Sequence, residues 1–129
     1  MILIDGRDPR PIYEQIVEKL AELMVCGALA ENSPMPSVRS LAADLSVTPN
    51  TVQRAYTELE RLGYIVSIRG KGSFVADTAA IRRLGQEKIL AELADIAVRA
   101  SRAGMEKEQF LARAGSLWPE NNTVREEAQ

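Results

Sequence analysis

The 129-residue chain contains no histidine and one cysteine, Cys26. Without His there is no imidazole base and no His metal ligand, and no Ser-His or Cys-His pair can form. A lone cysteine makes neither an intrachain disulfide nor a multi-Cys zinc site, and such usage fits a reducing cytoplasm. Long apolar runs are missing too. The longest, Leu23 to Ala30, is eight residues with a glycine inside, whereas a membrane span needs roughly 20. The opening MILIDGRDPRPIY is charged and broken by proline, so it reads as neither signal peptide nor anchor. Charge of one sign is lacking as well: 16 Lys and Arg stand against 18 Asp and Glu, a net −2. With 46% hydrophobic and 26% charged residues, the composition excludes a disordered chain, a collagen-like repeat and a disulfide scaffold. There is no internal repeat and no low-complexity tract. A mildly acidic total counts against nucleic-acid binding, for which basic domains are common, so the distribution of charge along the chain matters more than the sum.

Periodicity divides the chain. Residues 1–10 read as an extended lead-in, with Pro9 and Pro11 as breakers. Ile12, Ile16, Val17, Leu20, Leu23 and Met24 recur at spacings of three and four, a helix that Gly27 stops. Residues 31–36 form a turn-rich connector around Asn32, Pro34 and Pro36. A short helix over 37–45 follows, capped by Ser37 and apolar at Val38, Leu41, Ala42 and Leu45. After a tight turn a third helix starts at Thr48, a good cap, with Pro49 at the first helical position. Val52, Ala55, Tyr56, Leu59 and Leu62 are its expected buried stripe, and Gly63 ends it. The period then falls to about two over Tyr64 to Ile68 and Ser73 to Val75, around the hairpin tip Arg69-Gly70-Lys71-Gly72. Three helices and a hairpin, in that order, predict a winged helix-turn-helix.

Asp77 to Ala80 reads as a junction. From Gln86 a helical stripe of Ile89, Leu90, Leu93, Ile96, Ala97 and Ala100 runs to a stop at Gly104, and a last helix fits 106–117. Residues 121–129 are expected to be a loose tail. The fold class is therefore mainly α with a small β-hairpin. Residues 1–76 are the winged helix-turn-helix domain, and 77–129 a short α-helical dimerisation tail.

A helix-turn-helix sets the start of its second helix in the major groove, among phosphates that repel acids. Residues 45–57 and 61–76 contain no Asp or Glu. Over 36–76, Arg39, Arg54, Arg61, Arg69 and Lys71 outnumber Asp44, Glu58 and Glu60. On the third helix Asn50, Gln53, Arg54 and Thr57 lie opposite the apolar stripe. Asn and Gln can pair with adenine and Arg with guanine, although a solvated polar face would look the same. Arg39, in the first turn of the second helix, suits a phosphate, and otherwise is a surface arginine. The tip Arg69-Gly70-Lys71-Gly72 suits the minor groove, and otherwise is a solubilised turn; it lacks the spacing of a P-loop. Cys26 is expected to pack within the first helix, and Trp118, before Pro119, to seal the end of the last. No base partners the serines and aspartates, so an enzyme is not expected, and no catalytic residue, cofactor or metal site is assigned.

Four stretches together resemble the GntR family of bacterial transcription regulators: PIYEQI at 11–16, PSVRSLAADL at 36–45, VTPNTVQRAYTELERLGYI at 47–65 and RGKGSFV at 69–75. They run from Pro11 to Val75, about half the chain, and the segment holding Thr48-Pro49-Asn50-Thr51-Val52 and Arg54-Ala55-Tyr56 is the most specific. The short helical tail resembles the YtrA-type subfamily; residues 77–129 leave no room for the full effector domain of larger relatives. The resemblance implies a dimeric, cytoplasmic DNA-binding regulator, commonly a repressor. It carries over DNA contact to Arg39, Thr48, Asn50, Thr51, Gln53, Arg54, Arg69, Gly70 and Lys71. Pro49 and Gln53 stand where some relatives have arginine, so those guanine contacts do not transfer. Asn32 and Ser46 stand where glycine is usual, and Asn tolerates left-handed geometry.

The expected function is a sequence-specific regulator that binds double-stranded DNA as a homodimer on a pseudopalindromic site, with Ile89, Leu93, Ile96 and Ala100 in the dimer contact and no membrane partner. Two alternatives are a winged helix used for protein contact and a ligand-responsive regulator whose small-molecule effector sits in a pocket of the tail. The acid-free face and wing favour DNA over the first. Nothing polar and convergent in 81–117 points to the second.

Overall fold

A computed structural model of the chain describes residues 4–120; the expected loose tail at 121–129 lies outside them. The elements run α1 (Ile12–Val25), α2 (Val38–Leu45), α3 (Pro49–Leu62), β1 (Ile65–Ile68), β2 (Gly72–Val75), α4 (Thr78–Arg102) and α5 (Lys107–Leu117). The order expected of a winged helix-turn-helix is the one observed. The chain forms two compact units, one ending at Lys88 and the other beginning at Ile89, with α4 running through both.

The first unit holds the core. Ile16 and Leu20 of α1, Leu41 of α2, Val52 and Leu59 of α3, and Ile65 and Val75 of the hairpin are all but fully buried. Burying each such side chain stabilises the fold by about 1.5–3 kcal/mol before entropy is counted. Local chemistry sets the helix ends. Ser37 Oγ accepts the Ser40 amide at 3.0 Å to start α2, and Thr48 Oγ1 accepts the Thr51 amide at 3.3 Å to start α3. Between these helices Ser46 takes a left-handed φ of 57°, which a glycine would hold at no steric cost. Asn32 does the same in the connector, with φ 61°. The lead-in is clamped onto α1 by the buried Gln15, whose Oε1 accepts the Asp5 amide at 3.0 Å while its Nε2 donates to the Arg10 carbonyl at 3.2 Å. Alongside, Arg10 bridges Asp8 and Glu18, and holds the Asp8 carboxyl down at about 2.

β1 and β2 pair antiparallel, Ile65 opposite Val75 and Ile68 opposite Gly72, and turn through Gly70 at φ 79°. The connector is more than a turn. Its Asn32 and Met35 amides donate to the Val75 and Ser73 carbonyls, and Ser33 O accepts from the Val75 amide, so it lines the second edge of β2.

Four sequence expectations are corrected. Cys26 is exposed, because it caps the end of α1 instead of packing inside it. Leu62, in the last turn of α3, is 38% exposed. Trp118 is 69% exposed and seals nothing. The fourth helix starts at Thr78, eight residues before Gln86. Asp77 Oδ1 caps it by accepting the Ala80 amide at 2.8 Å, and Glu31 accepts the Thr78 amide at 2.8 Å. Gly85 is buried within α4, where a Cβ would lie 3.0 Å from Val25 of α1.

The second unit has no core of its own. Among its described residues none is buried, and only Ala100 and Phe110 are half-buried.

Candidate nucleic-acid interface

Two hydroxyls meet at the start of α3. Thr48 and Thr51 Oγ1 lie 2.9 Å apart, and Thr48 also caps the helix. Asn50 is exposed beside them. One turn on, Gln53 is exposed, and its Nε2 donates to Thr57 Oγ1 at 3.3 Å, which braces the amide along the outer face of the helix. Arg54 is also exposed, but its guanidinium lies over the Tyr13 ring of α1, 3.9 Å from the ring centre. It is therefore held to the α1 flank of the polar face.

Tyr56 fixes α3 from below. Its hydroxyl donates to the Pro36 carbonyl at 2.7 Å, one residue before the cap of α2. Burial pushes this phenol up to about 12. The bond ties the third helix to the start of the second, where Arg39 stands exposed in the first turn.

The hairpin returns to the same side. A concavity of about 310 Å³ is lined by Pro36 and Ser37 at the start of α2, Gln53 and Tyr56 of α3, and Ser67, Lys71 and Ser73 of the hairpin. Gln53 and Lys71 thus line one hollow although 18 positions separate them in sequence. Arg69 and Gly70 are exposed at the tip beside Lys71. Glu60 lines the same hollow, so the acid-free face of residues 45–57 meets a carboxylate one turn further along. The count of acids over 36–76 included Glu60 but not its face: seven positions after Gln53, it lies on the same side of α3. Glu58 is compensated: Arg61 donates to both its oxygens, at 2.8 and 2.6 Å, and holds the carboxyl below its usual range.

The four dimer candidates lie outside this site. Ile89, Leu93 and Ile96 are 61%, 44% and 43% exposed, and Ala100 is half-buried. The sequence reading left out the apolar residues of the last helix, Leu111 at 56% and Leu117 at 73% exposed. The signal was there: Phe110, Leu111, Ala114, Leu117 and Trp118 recur at helical spacing. A groove of about 450 Å³ on α4 is lined by Ala91, Glu92, Asp95, Ile96 and Arg99. Asp95 and Arg99 pair across 3.2 Å within it, so it offers no convergent polar set. Among the described residues no three His, Cys, Asp or Glu side chains gather to hold a metal, and no helix is long and apolar enough to cross a membrane.

Comparison with known proteins points one way. Residues 12–75 match the family model described as bacterial regulatory proteins, gntR family. The chain is 40% identical over 112 residues to the HTH-type transcriptional repressor YtrA of Bacillus subtilis, covering 85% of this chain and 86% of that protein. It superposes on a GntR family transcriptional regulator from Listeria monocytogenes with a TM-score of 0.75 and 33% identity, over 86% of this chain and 98% of the other. The DNA-binding domain of AraR, solved in complex with operator ORX1, matches 59% of this chain and 95% of its own, with a TM-score of 0.53 and 25% identity.

Proposed function

The chain belongs to the GntR family of bacterial regulatory proteins, and from that premise we propose that it is a repressor that binds a pseudopalindromic operator as a homodimer in the cytoplasm, and is not an enzyme. The observation that carries the reading is the hollow shared by Gln53 of α3 and Lys71 of the hairpin. Gln53 and Lys71 on one side of the domain support a reading in which α3 enters the major groove, Gln53 meets base edges and the wing lies alongside. Thr48, Asn50 and Thr51 then lie at the helix end that enters the groove. Arg39, Arg54, Arg69 and Lys71 face backbone phosphates or the minor-groove rim, and Gly70 lets the tip approach closely.

The dimer reading rests on the second unit. Ile89, Leu93, Ile96 and Ala100, with Leu111 and Leu117, leave apolar surface that two helices without a core cannot bury alone. A second copy supplies the missing layer. Two-fold symmetry then sets the half-sites about one helical turn apart, roughly 34–36 Å, or a multiple of it.

The test starts from a random-sequence duplex pool, from which the protein selects its own site. Footprinting of that site is expected to show two protected blocks on one face of the duplex. Gln53→Ala is expected to cost about 1–3 kcal/mol on the selected site and little on a scrambled one. Leu93→Glu with Ile96→Glu is expected to sediment as a monomer. Equal loss on both duplexes would remove α3 from the major groove, and a dimer that survives both glutamates would remove α4 from the interface.

A further inference from the structure

Arg54 occupies an unusual position among the cations of α3. Glu58 lies four residues on, the spacing at which a helix pairs opposite charges. Yet among the described residues Arg54 joins no ion pair and donates no hydrogen bond. Two arrangements account for this. Arg61, on the far side of Glu58, takes both carboxylate oxygens in a forked contact at 2.8 and 2.6 Å. Tyr13, in the first turn of α1, offers its ring to the Arg54 guanidinium at 3.9 Å.

A stack of this kind uses the flat face of the guanidinium and leaves its rim of five N–H donors open. It also fixes the plane of the group, so less side-chain freedom is lost when those donors meet an anion. A guanidinium forked onto Glu58 would instead commit two of its donors, and much of its attraction for a phosphate, to the carboxylate. Arg54 remains near enough to Glu58 to help lower its carboxyl, behind the larger effect of Arg61, so the competing pair lies within reach.

We propose that Tyr13 is a positioning residue for DNA binding and that the Glu58–Arg61 pair is its complement: the ring holds Arg54 open toward a backbone phosphate on the α1 flank of the recognition helix, and Arg61 keeps Glu58 from capturing it. Arg54 is then a clamp that sets the register of α3 and not a reader of guanine. This rests on the proposed placement of α3 against DNA. It assigns a role to α1, an element that supplies none of the expected contacts.

The experiment is a salt titration on a random-sequence duplex, where phosphate contacts dominate and no operator is needed. Wild type sets the reference slope of log K against log salt; a flat wild-type slope would refute the placement of α3 on DNA and this role with it. Given a steep reference, Tyr13→Leu is expected to weaken binding about 2–5-fold per protomer and to flatten the slope by up to about 0.9 per protomer. Tyr13→Phe keeps the ring and is expected to keep the wild-type slope. In an Arg54→Gln background, Tyr13→Leu is expected to leave the slope where Arg54→Gln put it, which a purely structural role for Tyr13 would not produce. Because Tyr13→Leu also touches the partly buried side of α1, a second series avoids the core. Arg61→Gln is expected to flatten the slope as Arg54→Gln does, and Glu58→Gln added to it is expected to restore the slope by releasing Arg54. A Tyr13→Leu protein that is folded and has the wild-type slope overturns the proposal. So does a Tyr13→Phe protein that behaves like the leucine variant, or an Arg61→Gln defect that Glu58→Gln does not repair.

Discussion

Replacing Tyr56 by phenylalanine removes one oxygen and leaves the buried ring of α3 in place. At pH 8 the variant loses the 2.7 Å hydrogen bond to the Pro36 carbonyl, a net cost of about 0.5–1.5 kcal/mol. The same oxygen carries the opposite liability in alkali. The phenol is pushed from its ordinary value of 10 up to about 12 by burial, so the folded chain holds this proton more tightly than the unfolded chain does. The resulting stability is fully present below pH 10 and is lost as pH rises toward 12. The gap is worth at most about 2–3 kcal/mol. Wild type should therefore be the more stable protein at pH 8 and the less stable one by pH 11.5, with the crossing between about pH 10 and 11. Urea unfolding of both proteins from pH 8 to 11.5, at one protein concentration, measures this directly. Lys, Arg and the other tyrosines titrate in both proteins and cancel in the difference. Equal stability at pH 8 would mean that the Pro36 bond contributes nothing. A wild type that stays ahead at pH 11.5 would mean that water reaches the phenol and that burial does not raise it.

Ser46→Gly should relieve the left-handed strain at the end of α2, about 1–2 kcal/mol, against a glycine entropy cost of about 0.5–1 kcal/mol. The net gain of about 0.5 kcal/mol would raise the melting temperature by about 2 °C with DNA affinity unchanged, and a lower melting temperature would refute it. Lys71→Ala should flatten the salt dependence by about 0.9 for each phosphate that the lysine neutralises, while preference for the selected site over a scrambled one is kept; a variant without that preference would make Lys71 a base reader. Exhaustive chelation should leave operator affinity unchanged. Loss of affinity that zinc restores would reveal a metal site that a chain without histidine is not expected to build.

The parts legible in the sequence are those fixed by near neighbours. Ser37, Thr48 with Pro49, and Gly63 mark helix ends because each cap or stop is made within three or four residues of itself. The RGKG tip is legible because a two-stranded turn demands positive φ at its glycines. The stripe of Ile16, Leu20, Val52 and Leu59 is legible because burial on one face of a helix imposes a period. Even the left-handed Asn32 and Ser46 announce themselves by standing where similar proteins have glycine. Tertiary structure alone decided what depends on distant partners, which leave no period and no local spacing. Asp77 to Ala80 reads as a junction until Glu31, 47 positions before Thr78, accepts the Thr78 amide at the start of α4. The connector reads as a turn until the hairpin offers it an edge. Glu60, seven positions after Gln53 on the same helix face, reads as a solvated acid until the hairpin returns and makes one hollow of it with Lys71. Arg54 reads as a groove-facing cation until Tyr13, 41 positions earlier, is folded beneath it. A side chain's type follows from its codon, but its neighbours follow from how the chain closes on itself, and in this domain those neighbours determine which of its cations are free to meet DNA.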